Sequence, residues 1–197
     1  LTMCIAYHRN RKEFDRAEEL INTIPSTRID KEEQLATLYT QQEKWEDAQR
    51  LWEHRILQSA TELQTALLHL MEIAEKENRP QDAQFCADTY QQVSSLLHVT
   101  QWIPYTAKFQ LASLRKDKAA CLSALSNILP VLKEPWSPQE CPLYRHMGNG
   151  DLTALAQSLY DRITEDLEHS EEFAFFRGSA EYEQLRPFLK ETPDVGK

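Results

Sequence analysis

One pattern constrains this chain more than any other, an ungapped motif that recurs three times. The copies are Tyr7-His-Arg-Asn-Arg-Lys-Glu-Phe14-Asp-Arg-Ala17, Leu38-Tyr-Thr-Gln-Gln-Glu-Lys-Trp45-Glu-Asp-Ala48 and Ile73-Ala-Glu-Lys-Glu-Asn-Arg-Pro80-Gln-Asp-Ala83. Each places an apolar residue ten positions before an alanine, with a polar turn between them. In the first two, an aromatic (Phe14, Trp45) stands three positions before the alanine. The alanines lie 31 and 35 residues apart, and a fourth copy fits around Leu114 to Ala119 or Ala120. Alanine lets one helix approach another closely, and neither helix of such a pair can bury its apolar stripe alone. Neighbouring pairs must therefore stack.

A period of 31 to 37 residues brackets the 34 of the tetratricopeptide repeat. The fold class expected is all-α, a right-handed superhelix of antiparallel helix pairs with a C-terminal helical cap. The pattern predicts pairs over 2–10 with 12–24, 30–42 with 44–60, 62–77 with 80–98, and 102–114 with 117–133. Only four glycines are present, and all of them (Gly148, Gly150, Gly178, Gly196) lie in the last third. That scarcity favours helices joined by short turns. Trp45, Ala48, Leu51, Trp52 and Ile56 keep amphipathic spacing. Asp30 fits an N-cap after Pro25-Ser26-Thr27, and Pro80 fits a first helical turn.

Four divisions follow. Residues 1–133 form four helix pairs, and 134–150 a Pro-rich connecting loop with Pro135, Pro138 and Pro142. Residues 151–190 form capping helices, opened by Asp151 and carrying Phe173, Phe175, Phe176, Tyr182, Leu185 and Phe188. Residues 191–197 are a disordered tail. The chain opens on Leu1, inside an apparent helix, and reads as a piece of a longer protein.

Net charge is -9, the wrong sign for holding duplex DNA, which needs clustered Lys and Arg. The one basic run, His8 to Lys12, reads as a solvated turn. Cys4, Cys86, Cys121 and Cys141 show no CxxC spacing and read as free thiols of a reducing cytoplasm. No apolar run reaches the roughly 20 residues of a membrane span.

No glycine-rich phosphate loop, nucleophile elbow or HExxH occurs, so no enzyme, metal or cofactor is expected. Cys141 and His146, five apart, read as neighbours in a turn rather than ligands. Glu43, Glu46 and Asp47 read as a solvated first turn matched to the helix dipole. Glu165, Asp166, Glu168, Glu171 and Glu172 read as a solvated acidic face.

Trp102, Tyr105 and Phe109 share one helix face. First helices of this repeat line a concave groove, where aromatics anchor a bound protein segment or peptide. If Ala120 is the key alanine of the fourth repeat, the three aromatics face that groove; if Ala119 is, they turn into the stack. Equivalent groove positions are Glu33, Thr37, Thr40, Thr65, Glu72 and Glu75, which suits a peptide with basic and apolar residues.

Three stretches carry a resemblance. Ile24-Pro25-Ser26, Glu32-Glu33 and Leu38-Tyr39 resemble the "LPS…REILL…LY" signature of the C-terminal halves of bacterial XRE-type (Cro/CI-like) helix-turn-helix regulators. Cys141-Pro142-Leu143-Tyr144-Arg145-His146-Met147 is similar to their "SPLYSHM" stretch. Glu172-Phe173-Ala174-Phe175-Phe176-Arg177 with Tyr182-Glu183-Gln184-Leu185 resembles their terminal helix pair, with Ala174 in place of an acidic residue. The resemblance implies a transcriptional regulator whose repeat half senses a ligand or mediates dimerisation, a homodimer being the expected assembly. DNA would be held only by an N-terminal domain that these residues do not include. A helical-repeat scaffold of the co-chaperone kind satisfies the same residues without that domain.

Overall fold

The structure, a computed structural model, describes residues 43–98, 100–134, 138–147 and 152–189, the backbone alone at 152 and 153. It also describes Cys4, Tyr7, His8, Arg11, Glu13, Arg16, Ala36, Thr37, Tyr39 and Thr40. The expectations for Phe14, Ala17, Pro25 to Thr27, Asp30, Glu33, Asp151 and 191–197 lie outside the described residues. Every regular element among the described residues is helical, so the chain is all-α.

The chain divides into a unit over 1–48 and a unit over 49–197. In the first, Ala36 and Ala48 are buried. The Lys44 backbone N–H donates to the Tyr39 carbonyl at 2.9 Å, and the Lys44 ammonium sits 5.6 Å from the Tyr39 ring centroid. The turn passes through Glu43 at φ 59°. The basic run closes on an acid: His8 Nδ1 lies 2.7 Å and Arg11 Nε 2.8 Å from the Glu13 carboxylate.

The first helix whose bounds are described, α1 (Trp45–Lys76), is 32 residues long, about 48 Å at 1.5 Å per residue. This corrects the expected turn at 61: residues 44–60 and 62–77 are not two helices but one. Residues 57–64 contain neither Gly nor Pro. The Thr61 hydroxyl donates to the Leu57 carbonyl at 2.9 Å, and Thr65 to Thr61 at 2.8 Å. Those hydroxyls bond back along the helix and cap nothing. Gln64, buried, donates to Ser94 at 3.0 Å, which ties α1 to its successor at the expected break.

That successor, α2 (Pro80–Leu97), starts with Pro at its first turn and ends at His98 in the left-handed region. The expected helix over 102–114 begins differently: Ile103–Tyr105 is a 3-10 turn holding Pro104, and α3 (Thr106–Arg115) follows. Next, α4 (Lys118–Leu132) is capped by the Asp117 carboxylate, which accepts from the Ala120 N–H at 3.0 Å. After a 3-10 turn at Pro138–Glu140 come α5 (Leu152–His169), a 3-10 turn at Glu171–Phe173 and α6 (Ala180–Leu189). With so few glycines, Asn78, His98 and Lys116 supply the left-handed residues of the turns.

Three apolar clusters hold the second unit. Met71, Ala74, Ala83, Ala87, Tyr90, Ala107 and Leu111 join α1, α2 and α3. Ala83, the alanine of the third repeat, is fully buried there. A larger cluster joins α4, α5 and α6 through Leu125, Leu129, Tyr160, Leu167, Phe176 and Leu185. A third seats the fully buried Tyr144 against Ala60 of α1. Among the described residues, no helix is long and apolar enough to cross a membrane.

Candidate functional site

The aromatic stripe of the fourth pair is engaged by the C-terminal cap. Phe109 stacks on Phe173 with ring centroids 5.6 Å apart and planes 7° from parallel. One turn on, the Ser113 hydroxyl donates to Glu172 at 3.1 Å. Trp102, Tyr105 and Phe109 are all half-buried against the large cluster. Ala120 packs against that cluster too, whereas Ala119 is exposed. The register is the one expected to open the stripe to a groove, yet the cap covers Phe109.

The polar positions divide. Thr37, Thr40 and Thr65 are exposed, and Thr40 and Thr65 donate to carbonyls four residues back. Glu72 accepts from the Gln110 carboxamide. Glu75 takes Arg115 in two contacts, 3.1 Å to Nε and 2.8 Å to Nη2. That pairing raises the Arg115 pKa above its ordinary value, the Glu75 hydrogen bond being the largest cause. Glu72 and Glu75 therefore fasten α1 to α3. Glu33 lies outside the described residues.

An open trough lies elsewhere, between α2 and α4. It consists of a cleft of about 660 Å³ and one of about 260 Å³ that share Tyr105 and Asn127. One wall presents Gln84, Gln91, Ser95 and His98 from a single face of α2. The other presents Ala120, Ser123, Asn127 and Val131 from α4. Its floor is Pro104, Tyr105, Lys108 and Leu111. From Gln84 to His98 it runs about 21 Å, the reach of roughly six extended residues. Lys108 is held 3.3 Å from Asp88. The Gln91 carboxamide and the Tyr105 hydroxyl take no partner among the described residues. Glu140 and Cys141 close one end, and Arg115 with Asp117 the other.

Beneath that end, the Pro-rich segment is latched to α1. Glu53 is only 6% exposed. Its carboxylate accepts from the His146 backbone N–H at 2.7 Å, and His146 Nδ1 lies 2.8 Å from its other oxygen. The Tyr144 hydroxyl donates to the Leu97 carbonyl at 2.7 Å. The motif that carried the family resemblance is thus a structural clasp, with Cys141 half-buried at its start. Among the described residues, no group of three or more His, Cys, Asp or Glu is placed to hold a metal ion.

Sequence reasoning found Tyr105 but missed Gln91, Asn127 and Glu53. Gln84 and Gln91, seven apart on α2, were the available signal, a polar stripe beside the buried Ala83 and Ala87 face. The chain matches no protein-family model, no curated protein and no solved structure.

Proposed function

We propose that this chain is the regulatory, ligand-sensing and oligomerising part of a DNA-binding transcriptional regulator of the XRE type, built on tetratricopeptide-like helix pairs and without catalytic chemistry. The observation that carries the ligand-sensing part is the trough, with Tyr105 and Asn127 at its centre. Uncharged hydrogen-bonding walls of Gln, Ser and Asn suit the backbone of an extended peptide more than a small charged metabolite. The assignment to a regulator follows from the resemblance of residues 24–39, 141–147 and 172–185. Occupancy of the trough would bias the spacing of α2 and α4, and so the placement of attached DNA-binding domains in a dimer.

Two measurements test this reading. A protein that carries a helix-turn-helix domain ahead of these residues should protect an operator in footprinting. The 197 residues alone should leave the same DNA unretarded at physiological salt, and retardation by them would contradict the assignment. A pooled hexapeptide library should raise the melting temperature of the native chain. No shift from any pool would contradict the peptide ligand.

A further inference from the structure

The two ends of the trough differ in width and in charge. The narrow end, about 260 Å³, presents Lys108, Arg115 and Asp117, and each of these is already engaged. Lys108 pairs with Asp88 at 3.3 Å, Arg115 with Glu75 at 2.8 Å, and Asp117 caps α4 through the Ala120 N–H at 3.0 Å. The wide end, about 660 Å³, presents Glu140. Its carboxylate takes no ion pair and no hydrogen bond among the described residues. Of the Asp, Glu, Lys and Arg side chains that line the trough, it alone is unpaired among the described residues.

The surroundings of that carboxylate select the shape of its partner. Pro104, buried, and Val131, half-buried, line the same cleft, and Pro142 and Tyr105 add further apolar surface. A carboxylate set among proline, valine and an aromatic ring fits a long side chain with an apolar stem and a cationic head. Lys and Arg are the two that have both. The backbone carrying Glu140 is also placed in advance. It ends the 3-10 turn Pro138–Glu140, and the next residue, Cys141, donates its N–H to the Pro138 carbonyl at 2.9 Å. Tyr144, four residues on, is tied to the Leu97 carbonyl at 2.7 Å. A carrier fixed beforehand has less to lose when a ligand orders it.

We infer that the trough selects extended peptides that carry Lys or Arg at its wide end, with Glu140 setting that preference. The inference rests on the peptide-binding reading proposed above and adds a specificity to it. A net charge of -9 draws any basic peptide toward the surface, so the test must separate one carboxylate from the general field.

Hexapeptide pools, acetylated and amidated, with Arg fixed at each position in turn, are titrated against the native chain by thermal shift. Matched pools carry norleucine in place of Arg, which keeps the stem and deletes the charge. The best Arg pool should half-saturate at a concentration about threefold or more below its norleucine match. Glu140→Gln should narrow that ratio to about 1.5-fold or less, with the unliganded melting temperature unchanged. Glu165→Gln, exposed on α5 and outside the trough, removes the same formal charge and should keep the preference. A Glu140→Gln chain that still prefers Arg, or a Glu165→Gln chain that loses the preference equally, overturns the role of Glu140. A native chain that answers both kinds of pool equally overturns the cationic preference and spares the peptide reading. A norleucine pool with a free N-terminus that matches the Arg pool gives the carboxylate to a terminal ammonium and overturns the side-chain assignment. Silence from every pool contradicts the peptide reading itself, and this inference with it.

Discussion

The two larger clusters of the second unit are built from different material. The α1–α2–α3 junction is lined by Ala74, Ala83, Ala87 and Ala107, with Met71, Tyr90 and Leu111 filling between them. The cluster of α4, α5 and α6 is built from large side chains: Leu125, Leu129, Tyr160, Leu167, Phe176 and Leu185. Alanines let helix axes approach and leave little to remove. Large residues fill the wider space of a cap that must close the array on one side. The first region should therefore break by addition, the second by removal.

The largest effect belongs to the cap. Phe176 is fully buried and meets Tyr182 edge-on at 5.8 Å. Phe176→Ala should cost about 3–5 kcal/mol by chemical denaturation, and a cost below about 1 kcal/mol would mean the cap is loosely packed. Next comes pH. Burial pushes the Cys121 thiol, inside the same cluster, up to about 11 from an ordinary 9.0. The folded state then holds its proton after the unfolded chain has released it. Stability is whole below pH 9 and falls through 11, by up to about 2–3 kcal/mol from this group. Cys121→Ala should flatten that alkaline slope, and a slope unchanged by the substitution would assign it elsewhere. Tyr90, Tyr144 and Tyr182, also raised chiefly by burial, act in the same direction. Third, Ala83→Leu should overpack the alanine junction and cost about 1–3 kcal/mol. A neutral result would show that α1 and α2 can part at no expense.

What was legible in the sequence follows this division. Helical class, the start of α2 at Pro80 and the cap aromatics could be read locally, because proline, glycine scarcity and apolar spacing act over a few residues. The break expected at 61 came from imposing a repeat period on residues whose own preferences are helical throughout. Gln64 bonding to Ser94, 30 residues away, is a tertiary fact that no local pattern reveals. That Phe109 of the candidate groove is covered has a similar reason. The spacing of Trp102, Tyr105 and Phe109 defines a shared face but not what lies opposite it, and Phe173 arrives from 64 residues downstream. Glu53 looked like any surface glutamate of α1 until His146 returned to it from 93 residues on.

Tyr105 and Phe109, one turn apart, now have separate roles, one at the trough and one in the stack. The most direct measurement is the peptide-induced thermal shift of Tyr105→Ala beside that of Phe109→Ala, with each variant's melting temperature taken first. The account predicts that Phe109→Ala melts lower, by about 2 kcal/mol of lost stability, yet still responds to the peptide pool that shifts the native chain. Tyr105→Ala should keep most of its stability and lose the response. A Tyr105→Ala chain that responds as fully as the native one would contradict the trough as the ligand site.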